Sequence, residues 1–282
     1  MRDPFVFNCS ATGGQRMLLA EPCDWTTWQT DPPSQLSVWL KAETGWIQVG
    51  TIGPWSPRGI MWEVPVLLDF GDKQALIVSL VDRRDGLSVC SVRYWIGKFD
   101  GCQFTTDTPL EGRLLDHGPD FYATSVNTQA GWPDGDRIIL GWASSWATAR
   151  TMAWSGNVAG GPISLPRSLS LADGRLQQRP IEAALSFATA VTWAPGERLD
   201  LCFEGADASF QISISAKGQF KAARSGSEPT IVWSRVVVSF LACPTNVQIF
   251  NDCGLIEIFF KTEGKTLTVF VPGATTAERY TI

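Results

Sequence analysis

Short runs of β-branched and aromatic residues recur along the chain between turn residues. Leu76 to Val81, Ser88 to Trp95, Arg137 to Trp142, Gln211 to Ala216, Thr230 to Leu241, Leu255 to Phe260 and Thr266 to Val271 each read as a strand. Gln211-Ile212-Ser213-Ile214-Ser215 alternates strictly, which predicts one apolar and one polar face. Asp85-Gly86, Asp100-Gly101, Asp134-Gly135 and Asp173-Gly174 mark hairpins, because glycine supplies the positive φ that tight turns require. No stretch has the period of a long amphipathic helix, and only Pro180 to Phe187 has room for about two helical turns. Regular strands separated by Gly, Pro and Asp predict an all-β chain built as a sandwich, a barrel or a propeller.

The pattern changes along the chain. The first 170 residues hold 11 of the 13 tryptophans and most of the irregular Gly/Pro loops, as a functional surface on a rigid sheet scaffold would. From about residue 183 the strands are plainer, and only Trp193 and Trp233 remain. The turn Ala172-Asp173-Gly174-Arg175 and the polar stretch Gln177-Gln178-Arg179-Pro180 place an expected boundary within 171–180, giving two β domains over 1–172 and 183–282.

Composition removes several classes of function. The formal charge is −5 with a pI near 5.0, and the 23 basic residues are dispersed, so a nucleic-acid partner is not expected. Apolar stretches such as Ala75 to Val81 fall far short of the roughly 18 residues that span a bilayer, so no membrane association is expected. The single histidine, His117, leaves no basis for a His-rich metal site or a histidine relay, and catalysis would rest on carboxylates. Seven cysteines without a CxxC pair give no zinc ribbon or thioredoxin-type site, and the odd number leaves at least one thiol outside intramolecular pairing. No metal or cofactor is expected. Met1-Arg2-Asp3-Pro4 offers no apolar segment of the kind found in signal peptides, and Asn8-Cys9-Ser10 fits the glycosylation triplet.

Four places carry candidate chemistry. Glu63 lies in Met61-Trp62-Glu63-Val64-Pro65; a carboxyl held among Trp, Val and Pro is partly desolvated, which suits a general acid, although a solvated glutamate beside a strand start is the plainer reading. Asp3, in Arg2-Asp3-Pro4, precedes a hydrophobic strand and could accept hydrogen bonds from two vicinal sugar hydroxyls, or form a terminal salt bridge. Asp116-His117-Gly118-Pro119-Asp120-Phe121-Tyr122-Ala123 sets two acids around a Gly-Pro turn ahead of an aromatic pair; an Asx turn is the plainer reading. Gly141-Trp142-Ala143-Ser144-Ser145-Trp146 spaces two indoles four residues apart, as sugar-stacking walls or as a buried pair.

The order of these motifs says more than any of them alone. Arg2-Asp3-Pro4, Trp62-Glu63-Val64-Pro65, Tyr94 to Gly101, Asp116 to Ala123, Gly141 to Trp146, Ser164-Leu165-Pro166-Arg167, Leu176 to Pro180 and Phe250 to Phe259 together resemble glycoside hydrolase family 32, the invertases, inulinases and levanases. The resemblance implies a five-bladed β-propeller followed by a C-terminal β-sandwich. It also implies retaining hydrolysis of β-fructofuranosyl bonds in sucrose or in fructans such as inulin and levan. Carried over, Glu63 is the acid/base and Asp3 the transition-state stabiliser that grips two fructose hydroxyls. Arg2 orients the site, while Trp62, Asp116, Tyr122, Trp142 and Trp146 line the substrate pocket. Extracellular location follows from where such substrates occur.

The same resemblance marks what is not found. A retaining mechanism needs a second carboxylate about 5 to 5.5 Å from the acid. The family places it in an N-terminal Trp-x-Asn-Asp-Pro-Asn-Gly motif, and no Asn-Asp-Pro occurs in the 282 residues. Val64 also stands where the family usually has cysteine. At roughly 40 to 50 residues per blade, about 170 residues make three to four blades. The expectation is therefore an incomplete propeller, inactive as this chain and prone to self-association through its open edge. The alternative is a non-catalytic carbohydrate-binding remnant.

Overall fold

The computed structural model describes residues 1–21, 33–56, 60–84, 87–127, 137–144, 162–194, 197–204, 208–215, 219–226, 232–236, 245–252, 255–261, 265–270 and 278–281. Alternation of inward and outward side chains builds several of its strands. In Gln15–Glu21 the side chains of Arg16, Leu18 and Ala20 point inward and their neighbours outward.

The first sheet is an antiparallel meander of β1 (Arg2–Asn8), β2 (Gln15–Glu21), β3 (Gln35–Ala42) and β4 (Gly45–Ile52). The second repeats the plan with β5 (Ile60–Asp69), β6 (Gln74–Arg84), β7 (Leu87–Phe99) and β8 (Phe104–Thr106), and the short β9 (Arg113–Leu114) also pairs with β7. The third joins β10 (Tyr122–Val126), β11 (Arg137–Trp142), β12 (Arg167–Ala172) and β13 (Arg175–Pro180). A 3-10 helix, Glu182–Phe187, follows where the sequence left room for two helical turns.

Two further sheets complete the all-β chain. Their strands are β14 (Thr189–Trp193), β15 (Leu199–Glu204), β16 (Ala208–Ile214), β17 (Gln219–Gly226), β18 (Val232–Val236), β19 (Thr245–Asp252), β20 (Leu255–Phe260), β21 (Lys265–Phe270) and β22 (Glu278–Thr281). The fourth sheet has the order β14-β19-β20-β21 and the fifth β18-β17-β16-β15-β22, so both join strands distant in sequence. Among the described residues no helix is long and apolar enough to cross a membrane.

The second sheet is a middle layer. Leu76 and Val78 of β6 join Leu18, Leu36 and Val38 of the first sheet in one cluster, while Ala75 and Ile77 join Phe121, Ile139 and Leu169 on the side of the third. Burial on both faces explains why β6 reads as a continuous apolar run and not as an alternation. Trp55, Trp62 and Trp95 fill the first of these clusters, with ring centroids 5.3 to 5.8 Å apart in tilted and edge-on contacts.

Residues 175–180 do not interrupt the pattern as a linker would; they form the outer strand of the third sheet. Asp173 and Gly174, at φ of 51° and 65°, make the tight turn from β12, with Ala172 paired to Arg175. Gln178 is turned inward because its amide has buried partners: it donates to the carbonyl of Leu115 and to Thr266 Oγ1 and accepts from Arg167.

Candidate active site

β1, β5 and β10 are the first strands of their sheets and lie side by side, β5 in the middle. Each is broken near its start by an irregularity in register, between Arg2 and Phe5, between Glu63 and Val66, and between Tyr122 and Ser125. At each break a non-glycine residue takes a left-handed conformation: Asp3 at φ 56°, Val64 at 48° and Ala123 at 47°. A β-branched residue there is strained, and such strain persists only where surrounding contacts hold it. Pro4 and Pro65 follow the first two breaks, where the missing N–H interrupts no ladder. Bulges of this kind re-aim side chains, and three of them bring Arg2, Asp3, Glu63 and Tyr122 to one place.

Glu63 is 2% exposed. Tyr122 donates its phenol proton to Glu63 Oε2 at 2.5 Å, and Arg2 Nη1 lies 2.9 Å from Oε1 as an ion pair. Apart from that ion pair, Glu63 Oε1 accepts no hydrogen bond from the described residues. Arg2 Nε donates to Asp3 Oδ2 at 3.1 Å, and the same oxygen accepts the Val64 amide at 3.1 Å. One guanidinium thus stands between two carboxylates drawn from different sheets. Burial works to lower the Arg2 pKa, but Glu63 and Asp3 outweigh it and hold the group above its ordinary value. Burial, reinforced by the Glu63 carboxylate, holds the Tyr122 phenol well above its ordinary range, so it acts as a donor. One oxygen of Glu63 is thus fixed by a phenol and the other faces a cation.

The structure sorts the remaining candidates. Trp142 pairs in register with Tyr122 and packs against the cluster of Met61, Val81, Cys90 and Tyr122, so it stands beside the site. Trp62, expected in the pocket, is fully enclosed between Trp55 and Trp95, with its indole N–H on Ser56 Oγ at 2.8 Å. It faces away because successive residues on a strand point to opposite sides. Asp116, also expected in the pocket, is buried instead against Arg167 at 2.7 Å and the hydroxyls of Thr266 and Thr268. Trp146 lies outside the described residues.

Sequence reasoning gave Arg167, Gln178 and Glu257 no role, yet these side chains bind Asp116 into one buried cluster joining the third sheet to the fourth. Their motifs were legible, but contacts between residues about a hundred positions apart were not. Cys9 and Cys102 are free thiols, and among the described residues no three His, Cys, Asp or Glu side chains converge as a metal site would require. A cavity of about 320 Å³ lined by Phe7, Asn8, Asp69, Gln74 and Phe99 opens at the far ends of β1 and β5. Six residues separate Glu63 from Asp69, roughly 20 Å of strand, so this cavity is distinct from the carboxylate cluster.

The family profile described as "Glycosyl hydrolases family 32 N-terminal domain" matches residues 1–180. The extracellular exo-inulinase of Aspergillus awamori is 27% identical over 215 residues, covering 62% of this chain and 39% of that protein. The sucrose-6-phosphate hydrolase of Escherichia coli is 28% identical over 188 residues, covering 53% of this chain and 36% of that protein. The matched stretches therefore cover well under half the length of these relatives. Among solved structures, the exo-inulinase from Aspergillus awamori superposes with a TM-score of 0.70 at 19% identity, over 98% of this chain and 63% of that one. A β-fructofuranosidase of Bombyx mori gives a TM-score of 0.70 at 19% identity, over 96% of this chain and 61% of that one.

Proposed function

The chain belongs to glycosyl hydrolase family 32, and on that premise we propose that it is the acid/base-bearing part of a retaining β-fructofuranosidase acting on sucrose or fructans. The observation that carries the reading is the convergence of Arg2, Asp3, Glu63 and Tyr122 from three separate strands. Glu63 gives its proton to the leaving glycosidic oxygen, then takes one from the attacking water. Asp3 accepts hydrogen bonds from two fructose hydroxyls and stabilises the oxocarbenium-like transition state, while Arg2 holds both carboxylates in register. Trp142 forms part of the pocket wall, and Trp146 is assigned to it by the family motif.

The three sheets over 2–180 are read as blades of a five-bladed propeller, and the sheets after residue 183 as the accompanying β-sandwich. An open ring leaves sheet faces and edges for self-association. The relatives described as extracellular exo-inulinases favour an extracellular setting.

A covalent step needs a nucleophile, and no Asn-Asp-Pro occurs in the 282 residues. The chain by itself is therefore proposed to be inactive. The test measures fructose release from sucrose, inulin and levan by the 282-residue chain and by the same chain joined to a segment carrying Trp-x-Asn-Asp-Pro-Asn-Gly. No release by the first is expected, with release by the second that falls about 10²- to 10⁴-fold in Glu63→Gln. Release by the chain alone would overturn the proposed inactivity, and a fusion indifferent to Glu63→Gln would overturn the assignment of the acid/base.

A second reading rests on the same missing carboxylate beside an assembled Asp3, Glu63 and Trp142: a non-catalytic carbohydrate-binding protein. Calorimetry with fructose, sucrose and short fructans separates the two, since heat that survives in Glu63→Gln without turnover favours binding alone.

A further inference from the structure

The candidate site and the buried cluster at the fourth sheet are joined by one short segment, 116–122. At its near end Asp116 Oδ1 accepts the amides of Gly118 at 2.7 Å and Thr268 at 3.0 Å, and Oδ2 accepts the hydroxyls of Thr266 at 2.9 Å and Thr268 at 2.8 Å. The amides of His117 and Asp120 donate to the carbonyls of Thr266 and Thr268. Gly118 lies so close to β21 that a Cβ on it would stand 1.9 Å from the Thr268 carbonyl oxygen, so the segment has no slack there.

At its far end the segment delivers Tyr122 to Glu63. Between the two ends, the Arg167 guanidinium lies 4.2 Å over the Phe121 ring, which is also closed in by Gly141. Arg167 is itself held on the fourth sheet: its Nη2 donates at 2.5 Å to both Glu257 Oε2 and Thr268 Oγ1. Each member of this network orients the next, and a buried network that loses one partner reorganises as a unit.

We infer that the fourth sheet, through Thr268 and Glu257, positions Tyr122 against Glu63, with Arg167 as the positioning residue that grips Phe121. The functional meaning of that grip rests on Glu63 being the acid/base; the grip itself does not. The fourth sheet is then more than a neighbour of the site, because its docking decides whether the acid keeps its hydrogen-bond partner.

The test follows the Tyr122 phenol in the full chain, as the difference in tyrosinate absorbance between the chain and its Tyr122→Phe variant across an alkaline titration. Thr268→Val keeps the shape but removes the hydroxyl, and it is expected to lower the Tyr122 transition by about one pH unit, towards the ordinary value of about 10. Thr268→Ser restores it. Glu257→Gln acts in the same direction and serves if Thr268→Val does not fold. Ile256→Val trims a buried side chain of the same sheet outside the network and leaves the transition in place.

A transition unmoved by both Thr268→Val and Glu257→Gln, or moved equally by Ile256→Val, overturns the inference while leaving the reading of Glu63 untouched. Fructose release indifferent to Glu63→Gln, with the transition moved as expected, overturns that reading and leaves the grip.

Discussion

The amide of Val64 donates to Asp3 Oδ2 at 3.1 Å across 61 positions of sequence. The carboxylate at the break of one inner strand thereby fixes the backbone at the break of the next, one residue past Glu63. Arg2 shares the same oxygen, so the position of Glu63 depends on a residue that local sequence read as a sugar-hydroxyl acceptor or a terminal salt bridge.

Asp3→Ala removes the acceptor of a partly buried amide and leaves Arg2 with Glu63 alone. A hydrogen bond to a charged acceptor is worth about 1.5 to 3 kcal/mol, and a loss of that order is expected in denaturant unfolding. An unchanged unfolding midpoint would show that water replaces the carboxylate without cost.

Val64 occupies a left-handed conformation that a β-branched side chain adopts only under constraint. Asparagine tolerates that region and has a similar size, so Val64→Asn is expected to stabilise the chain by up to about 1 kcal/mol, provided the Asp3 bond remains. A lowered melting temperature would mean that packing of the valine methyls outweighs the strain.

Trp62→Phe tests whether the indole serves the core or the pocket. The indole packs 5.3 Å from Trp95 and donates to Ser56, so its loss is expected to cost on the order of 2 kcal/mol. Heat of sugar binding per folded molecule is expected to stay unchanged. A binding defect at constant stability would return Trp62 to the pocket.

Strands with an apolar or alternating sequence were legible: β6, β7, β11, β16, β20 and β21 all fall where the pattern put them. β2 was hidden because Arg16 takes an inward position to reach the carbonyl of Gly101 at 2.9 Å. β13 looked like a linker because Gln178 is buried for its amide contacts and not for any hydrophobicity. Pattern reading equates buried with apolar, and polar side chains with buried partners escape it. The site shows the same division. Local sequence left Glu63 open between a desolvated acid and a solvated glutamate, and its bond to Tyr122, 59 positions away, was not legible. Trp62 could have been excluded by the two-residue period that sends neighbours to opposite faces.

The buried cluster makes a prediction about acid. Burial opposes ionisation of Asp116, but Arg167 and the hydrogen bonds from Thr268 and Gly118 outweigh it, so its pKa in the fold lies below the ordinary value. A carboxyl shifted down lends stability that is complete above its unfolded pKa of about 3.9 and is lost as pH falls through the folded value. Glu257 is shifted the other way, because burial exceeds the attraction of Arg167. A carboxyl shifted up lends stability below its unfolded pKa of about 4.3 and loses it as pH rises through the folded value. At neutral pH the two acids are therefore unequal. Asp116→Asn is expected to cost about 3 to 5 kcal/mol, as for a buried ion pair broken on one side, and to flatten the loss of stability below about pH 4. Glu257→Gln is expected to cost less at neutral pH and to leave that acid limb in place, because burial already works against the charge at this position. Denaturant unfolding of the chain and both variants between about pH 3 and pH 7 measures both effects. Equal costs, or an acid limb flattened by Glu257→Gln and kept by Asp116→Asn, would show that the two carboxyls have exchanged roles.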